Sequence, residues 1–160
     1  MSISVGDRVP STNLSLLSSG EPEEISTDKL FSDKKVVLVA VTGAFTPACS
    51  NDHLPGFVRQ AEQIKQHNID AIACVSVNDP FVMDAWGKAT NANDKIMMLA
   101  DSDAKFTKAM GMEADMSDMG FGIRSQRYAA IVENGVVKEL EVDKMGEVEA
   151  STAEKVLAKL

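Results

Sequence analysis

In the segment Gly43-Ala-Phe-Thr-Pro-Ala-Cys-Ser-Asn-Asp-His-Leu-Pro-Gly56 a threonine, a proline and a cysteine fall at positions that could activate a thiol. Thr46 followed by Pro47 is a helix-start signature: threonine caps orphan amides, and proline fits the first helical position, where its missing N–H would be unpaired anyway. Cys49 then falls at the third helical position. That slot favours negative charge, so a cysteine there ionises more easily and the attacking thiolate is favoured. The same features also describe an ordinary capped helix with a small buried thiol, so local sequence leaves catalysis and packing both open. His53 shares a helical face with Cys49 and could assist ionisation or pair with it as in a cysteine hydrolase. A surface histidine is the plainer expectation, since no orienting acid or oxyanion hole is evident. No Cys-x-x-Cys occurs, which removes the dithiol oxidoreductase motif. Pro55, about two turns in, predicts a kink or break near Leu54 and a short cysteine-bearing turn able to unwind.

The elements that must hold this segment follow from hydropathy. Val36-Val-Leu-Val-Ala-Val41, just before it, is a continuous apolar run suited to a central strand. Helical spacing from Phe57 to Asn68 leads to a second strand run, Ala71 to Val77, making a parallel βαβ unit. A short helix over Phe81 to Lys88, a strand over Ile96 to Ala100 and a helix over Ala104 to Met110 continue the alternation. Tyr128 to Val132 and Val136 to Val142 flank Asn134-Gly135, a strong hairpin signal. A last helix is expected from about Ser151 to Leu160, capped by Ser151 or Thr152. Gly111 to Ser125 reads as a loop with at most one short helix. These elements predict an α/β chain with a mixed central β-sheet flanked by helices, a thioredoxin-like fold, in one domain over residues 1–160.

Composition narrows the function. The chain of 160 residues carries 16 Lys+Arg and 24 Asp+Glu, a net charge of −8. Such a balance, without a cationic cluster, argues against nucleic-acid binding and against an anionic membrane surface. No apolar run nears the ~20 residues of a membrane span, and the N-terminus does not read as a secretory signal. Cys49 and Cys74 are the only cysteines, too few for a disulfide scaffold, so a reducing, cytoplasmic setting is expected. Met110, Met112, Met116 and Met119 read as flexible packing rather than a metal patch.

The run Gly-Ala-Phe-Thr-Pro-x-Cys-Ser-x-x-His-Leu-Pro-Gly-Phe, at Gly43 to Phe57, resembles the peroxiredoxin family, in particular its type II (peroxiredoxin-5-like) branch. Val75 to Met83 with Ala85-Trp86, Ala100-Asp101 leading to Lys105-Phe106, and Gly122 to Tyr128 extend the resemblance over essentially the whole chain. It implies a thiol-dependent peroxidase acting on hydrogen peroxide and alkyl hydroperoxides. In the family signature Pro-x-x-x-Thr-x-x-Cys with a distant arginine, Thr46 and Cys49 match, Arg127 matches the arginine, and Thr42 departs from the proline that shields the sulfur. The implied roles are peroxide attack by Cys49, peroxide binding by Thr46, and charge stabilisation by Arg127, with Arg124 and His53 as further candidates around them. No cofactor or metal is implied, and there is no Gly-rich phosphate loop. No cysteine follows Ala104, which leaves Cys74 as the sole internal thiol that could resolve a sulfenate. An external thiol, from glutathione with glutaredoxin or from thioredoxin, is the favoured reductant. A homodimer is implied by resemblance; Phe45 and Phe121 could line an apolar approach to the sulfur or a dimer surface, with core packing as the alternative for both. The competing readings are a thioredoxin-fold binding module with an inert Cys49 and the cysteine hydrolase.

Overall fold

Side chains of the Val36 to Val41 run pack alternately into two apolar layers, and none of the six is exposed. Val37, Val39 and Val41 meet Phe57, Ile64, Ile72, Trp86 and Val156 on one face. Val36, Leu38 and Ala40 meet Phe31, Val75, Phe106 and Tyr128 on the other. A strand apolar on both faces is what a helix-covered sheet requires. In this computed structural model, which describes residues 2–160, that strand is β3 (Lys35–Ala40).

The other strands are β1 (Asn13–Ser18), β2 (Glu21–Ser26), β4 (Ala71–Ser76), β5 (Met97–Ala100), β6 (Glu113–Asp115), β7 (Ile123–Ser125), β8 (Tyr128–Glu133) and β9 (Val136–Val142). Helices are α1 (Thr27–Phe31), α2 (Leu54–Lys65), α3 (Pro80–Ala89), α4 (Lys105–Ala109) and α5 (Ala153–Ala158). Seven strands form one sheet in the order β2-β1-β5-β4-β3-β8-β9. β3, β4 and β5 are parallel, with Val39 opposite Cys74 and Cys74 opposite Met98. β8 is antiparallel to β3, with Leu38 opposite Ala130. The expected βαβ unit, hairpin and mixed sheet are therefore all present. The Asn134-Gly135 turn has both residues at positive φ, 49° and 79°, as a two-residue hairpin demands.

Two features differ from expectation. Gly111 to Ser125 is not merely a loop: β6 and β7 pair antiparallel around a 3-10 turn at Ser117–Met119. These strands are three residues each and mostly half-buried or exposed, too short for a period of two to register. β2, Glu-Pro-Glu-Glu-Ile-Ser, is likewise an exposed edge strand whose acids and proline carry no apolar alternation. The final helix is capped by Thr152, whose hydroxyl accepts from the Lys155 amide, leaving Ser151 for another task. No described helix is long and apolar enough to cross a membrane.

Candidate active site

β3 delivers the chain to Val41, and the loop that follows packs against Asn78 and Arg124. The Ala44 amide donates to Asn78 Oδ1 at 3.0 Å, and the Ser76 hydroxyl donates to the same oxygen. Arg124 Nη1 donates to Val77 O at 3.1 Å while its Nε donates to Phe121 O. A Cβ on Gly43 would lie 3.1 Å from Arg124 Nη1 and 3.2 Å from Thr46 Cγ2. Glycine at position 43 is what lets the arginine and the threonine close over the loop. Arg124 thus packs beside the loop at Gly43, and its hydrogen bonds go to the backbone carbonyls of Val77 and Phe121.

The helix begins at Pro47 as Thr-Pro predicts, with the Ser50 amide donating to Thr46 O at 2.9 Å. The expected capping bond is absent among the described contacts. Thr46 Oγ1 instead donates to Gly43 O at 2.7 Å. Its proton committed there, the hydroxyl oxygen retains lone pairs for an incoming O–H donor.

The expected break at Leu54 takes a different form. Cys49–His53 winds as a π-turn, in which the Leu54 amide donates to Cys49 O, and α2 continues from it without interruption. Proline at position 55 cannot supply the amide that an α-helical register would need, and a wider turn absorbs the mismatch. Trp86 Nε1, fully buried on α3, donates to Ser50 Oγ at 2.9 Å and ties this turn to the core.

Cys49 is fully buried. Arg127, just before β8 and 78 positions away, donates from Nη1 to Cys49 Sγ at 3.0 Å. A charge-assisted bond of this kind stabilises the thiolate by roughly 1.5–3 kcal/mol. Nη1 also lies 3.1 Å from His53 Nδ1, and Nε donates to Glu147 O at 3.1 Å. The guanidinium is therefore fixed by three partners, two on the π-turn and one at Glu147. A cavity of about 180 Å³ lined by Thr42, Gln126, Arg127 and Met145, among others, opens beside it.

His53 is not the surface histidine expected from sequence. It is 1 % exposed, packs edge-on to Phe57 and sits between Arg127 and Ser151. Burial lowers its pKa from 6.5 to about 4; the Ser151 carbonyl opposes this, Arg127 adds to it and Asp143 opposes it. The ring is neutral at physiological pH. Cys74, on the central strand β4, is also fully buried, and burial pushes its thiol well above the ordinary range, with Cys49 nearby adding to the effect.

Cys49 is thus buried against a guanidinium on the first turn after a central strand. Residues 4–157 match the Redoxin family. The chain is 46 % identical over 163 residues to Peroxiredoxin-2E, chloroplastic, of Arabidopsis thaliana, covering 99 % of this chain and 70 % of that one. It is 43 % identical to Peroxiredoxin-2D of the same plant, over 99 % and 98 % of the two chains. The chain belongs to the peroxiredoxin family. Among solved structures, reduced Prx3 of Vibrio vulnificus in complex with hydrogen peroxide superposes with a TM-score of 0.94 at 51 % identity, over 98 % of each chain. This peroxiredoxin is a thiol-dependent peroxidase, an oxidoreductase with a thioredoxin-like fold.

Of the residues singled out from sequence, the peroxiredoxin fold brings Arg127 into contact with both Cys49 and His53 and sets Thr46, Thr42 and Arg124 around the loop. Sequence reasoning missed Asp143, Glu147, Ser151 and the Ser50–Trp86 bond. Only the placement of Ser151 just before a helix cap marked any of them, and it pointed to capping.

Proposed function

We propose that Cys49 is the peroxidatic nucleophile, and the observation that carries this is the 3.0 Å bond from Arg127 Nη1 to Cys49 Sγ. The thiolate attacks the terminal oxygen of a hydroperoxide. An S–O bond forms as the O–O bond breaks, sulfur is oxidised to sulfenic acid, and the leaving oxygen departs as water or an alcohol after taking a proton from solvent. Thr46 Oγ1, already donating to Gly43 O, accepts from the peroxide hydroxyl and orients it. Arg127 stabilises the thiolate first and then the charge growing on the leaving oxygen. Hydrogen peroxide and alkyl hydroperoxides share the reacting bond, and the cavity beside Arg127, with Met145 in its wall, leaves room for a short alkyl group. Thr42, at the place of the family's shielding proline, forms part of the same wall.

An external thiol returns the sulfenate to thiol: one equivalent forms a mixed disulfide and releases water, and a second displaces it. The buried, protonated Cys74 thiol is a poor attacking group, which favours glutathione with glutaredoxin, or thioredoxin, over an internal bridge. This reading puts the protein in a reducing compartment such as the cytoplasm, acting as one domain. Phe45 and Phe121 are both exposed, and the Arg124 guanidinium lies 5.8 Å from the Phe121 ring. An apolar face of that kind supports a homodimer, which sedimentation at micromolar concentration tests.

The deciding experiment for the nucleophile is loss of one free thiol per chain on adding hydrogen peroxide. It is expected in wild type and in Cys74→Ser and absent in Cys49→Ser; loss that persists in Cys49→Ser overturns the assignment.

A further inference from the structure

Beyond Arg127 the site continues into a chain of polar groups that the peroxidase chemistry does not itself require. His53 Nε2 lies 3.0 Å from both Ser151 O and Ser151 Oγ. The Ser151 hydroxyl donates to Asp143 Oδ2 in a short bond. Asp143 accepts in addition from the amides of Glu149, Ala150 and Ser151. Burial alone would raise the Asp143 pKa, but the Ser151 hydroxyl and these amides outweigh it and hold the carboxyl below its usual range. All three side chains are buried, His53 at 1 %, Ser151 at 0 % and Asp143 at 7 % exposure.

The direction of every bond in this chain is fixed by its ends. An ionised carboxylate can only accept, so the Ser151 hydroxyl must donate to Asp143. Ser151 Oγ then has only lone pairs left for His53, as does the Ser151 carbonyl, so His53 Nε2 must carry the ring proton. That leaves Nδ1 as an acceptor. A guanidinium can only donate, so Nδ1 receives one Nη1 hydrogen while the other points at Cys49 Sγ. The two Nη1 hydrogens are thereby shared between a lone pair on His53 and the reactive sulfur, which sets the plane of the guanidinium.

We infer that Asp143 and Ser151 are positioning residues that lock His53 in its Nε2–H tautomer, so that Nδ1 aims Arg127 at Cys49. The same segment accepts Arg127 Nε at Glu147 O, so the stretch 143–151 steers the guanidinium from two sides. The inference rests on the peroxidase reading of Cys49 and Arg127, but its readout is a proton position and needs no turnover.

Asp143→Asn tests it sharply. The new amide would present N–H donors to Ser151 Oγ, turn the hydroxyl toward His53 Nε2 and drive the ring proton to Nδ1, where it faces the Arg127 donors. The second-order rate constant with hydrogen peroxide should then fall on the order of tenfold or more. Nitrogen chemical shifts of the histidine ring should change from the Nε2–H to the Nδ1–H pattern. Adding Ser151→Ala should restore part of the rate, because Nε2–H can again donate to the Ser151-position carbonyl with no hydroxyl to oppose it. A purely structural role predicts instead that the double variant is slower than either single one. Should Asp143→Asn fail to fold, the tautomer of the reduced wild-type protein decides: Nε2–H supports the inference. Nδ1–H in wild type, an unchanged tautomer or rate in a folded Asp143→Asn, or a double variant without recovery overturns it. If Cys49→Ser retained peroxidase activity while the tautomer results held, the reading of the nucleophile would fail and the orientation of His53 would stand.

Discussion

Replacing Arg127 by alanine removes the donor 3.0 Å from Cys49 Sγ and leaves the sulfur, fully buried, without its cationic partner. Loss of a charge-assisted hydrogen bond costs roughly 1.5–3 kcal/mol, about 10- to 150-fold in rate at 1.36 kcal/mol per decade. Loss of a donor to the leaving oxygen adds roughly another 10²-fold. The second-order rate constant for hydrogen peroxide, followed by stopped-flow under excess oxidant, should therefore drop by about 10³-fold or more. Arg127→Lys separates charge from geometry. It keeps the cation but not the planar fork that spans Cys49 Sγ, His53 Nδ1 and Glu147 O. Its rate should fall between wild type and the alanine variant. An Arg127→Ala rate close to wild type would refute the argument, because the bond would then do nothing for either the thiolate or the transition state.

Three further outcomes follow from particular contacts. His53 has a folded-state pKa of about 4 against 6.5 for a free histidine, so the folded state binds fewer protons than the unfolded one between these values. Stability is full above pH 6.5 and declines by about 3 kcal/mol as the pH falls toward 4; urea unfolding across this window should show the decline, and His53→Gln should flatten it. Gly43→Ala forces a Cβ to within 3.1 Å of Arg124 Nη1 and 3.2 Å of Thr46 Cγ2, and a shift of a few tenths of an ångström at Thr46 should slow peroxide reduction several-fold; an unchanged rate would show that Thr46 need not be held. Amides of residues 50–54, in the π-turn, should exchange faster than those beyond Phe57 in α2, because the turn must open to expose the sulfenate of a fully buried Cys49 to a reductant; uniform protection would contradict that.

The cysteine turn was legible because its signals are local. A continuous apolar strand, Thr-Pro at a helix start and a cysteine three residues on lie within about 14 residues of one another. Arg127 was not legible in that way. It meets Cys49 across 78 positions, and only a family signature joined the two. His53 was misjudged because helical spacing places it beside Cys49 but says nothing about what covers that face, and the cover comes from Ser151, 98 positions away. Asp143 follows a strand whose pattern reads as an ordinary hairpin arm, so its role depends on the turn of chain from Glu149 to Ser151 that wraps it. Pro55 signalled a disturbance correctly. Its form, a widened turn in place of a break, is not encoded in the proline itself.

Intact-mass and peptide analysis after one equivalent of hydrogen peroxide, with and without glutathione, tests most directly whether one sulfur carries the chemistry. The expected product is a single oxygen on the peptide containing Cys49, replaced by a glutathione adduct on the same peptide when the thiol is present. A Cys49–Cys74 bridge would contradict the external-thiol cycle, and an unmodified Cys49 would contradict the account as a whole.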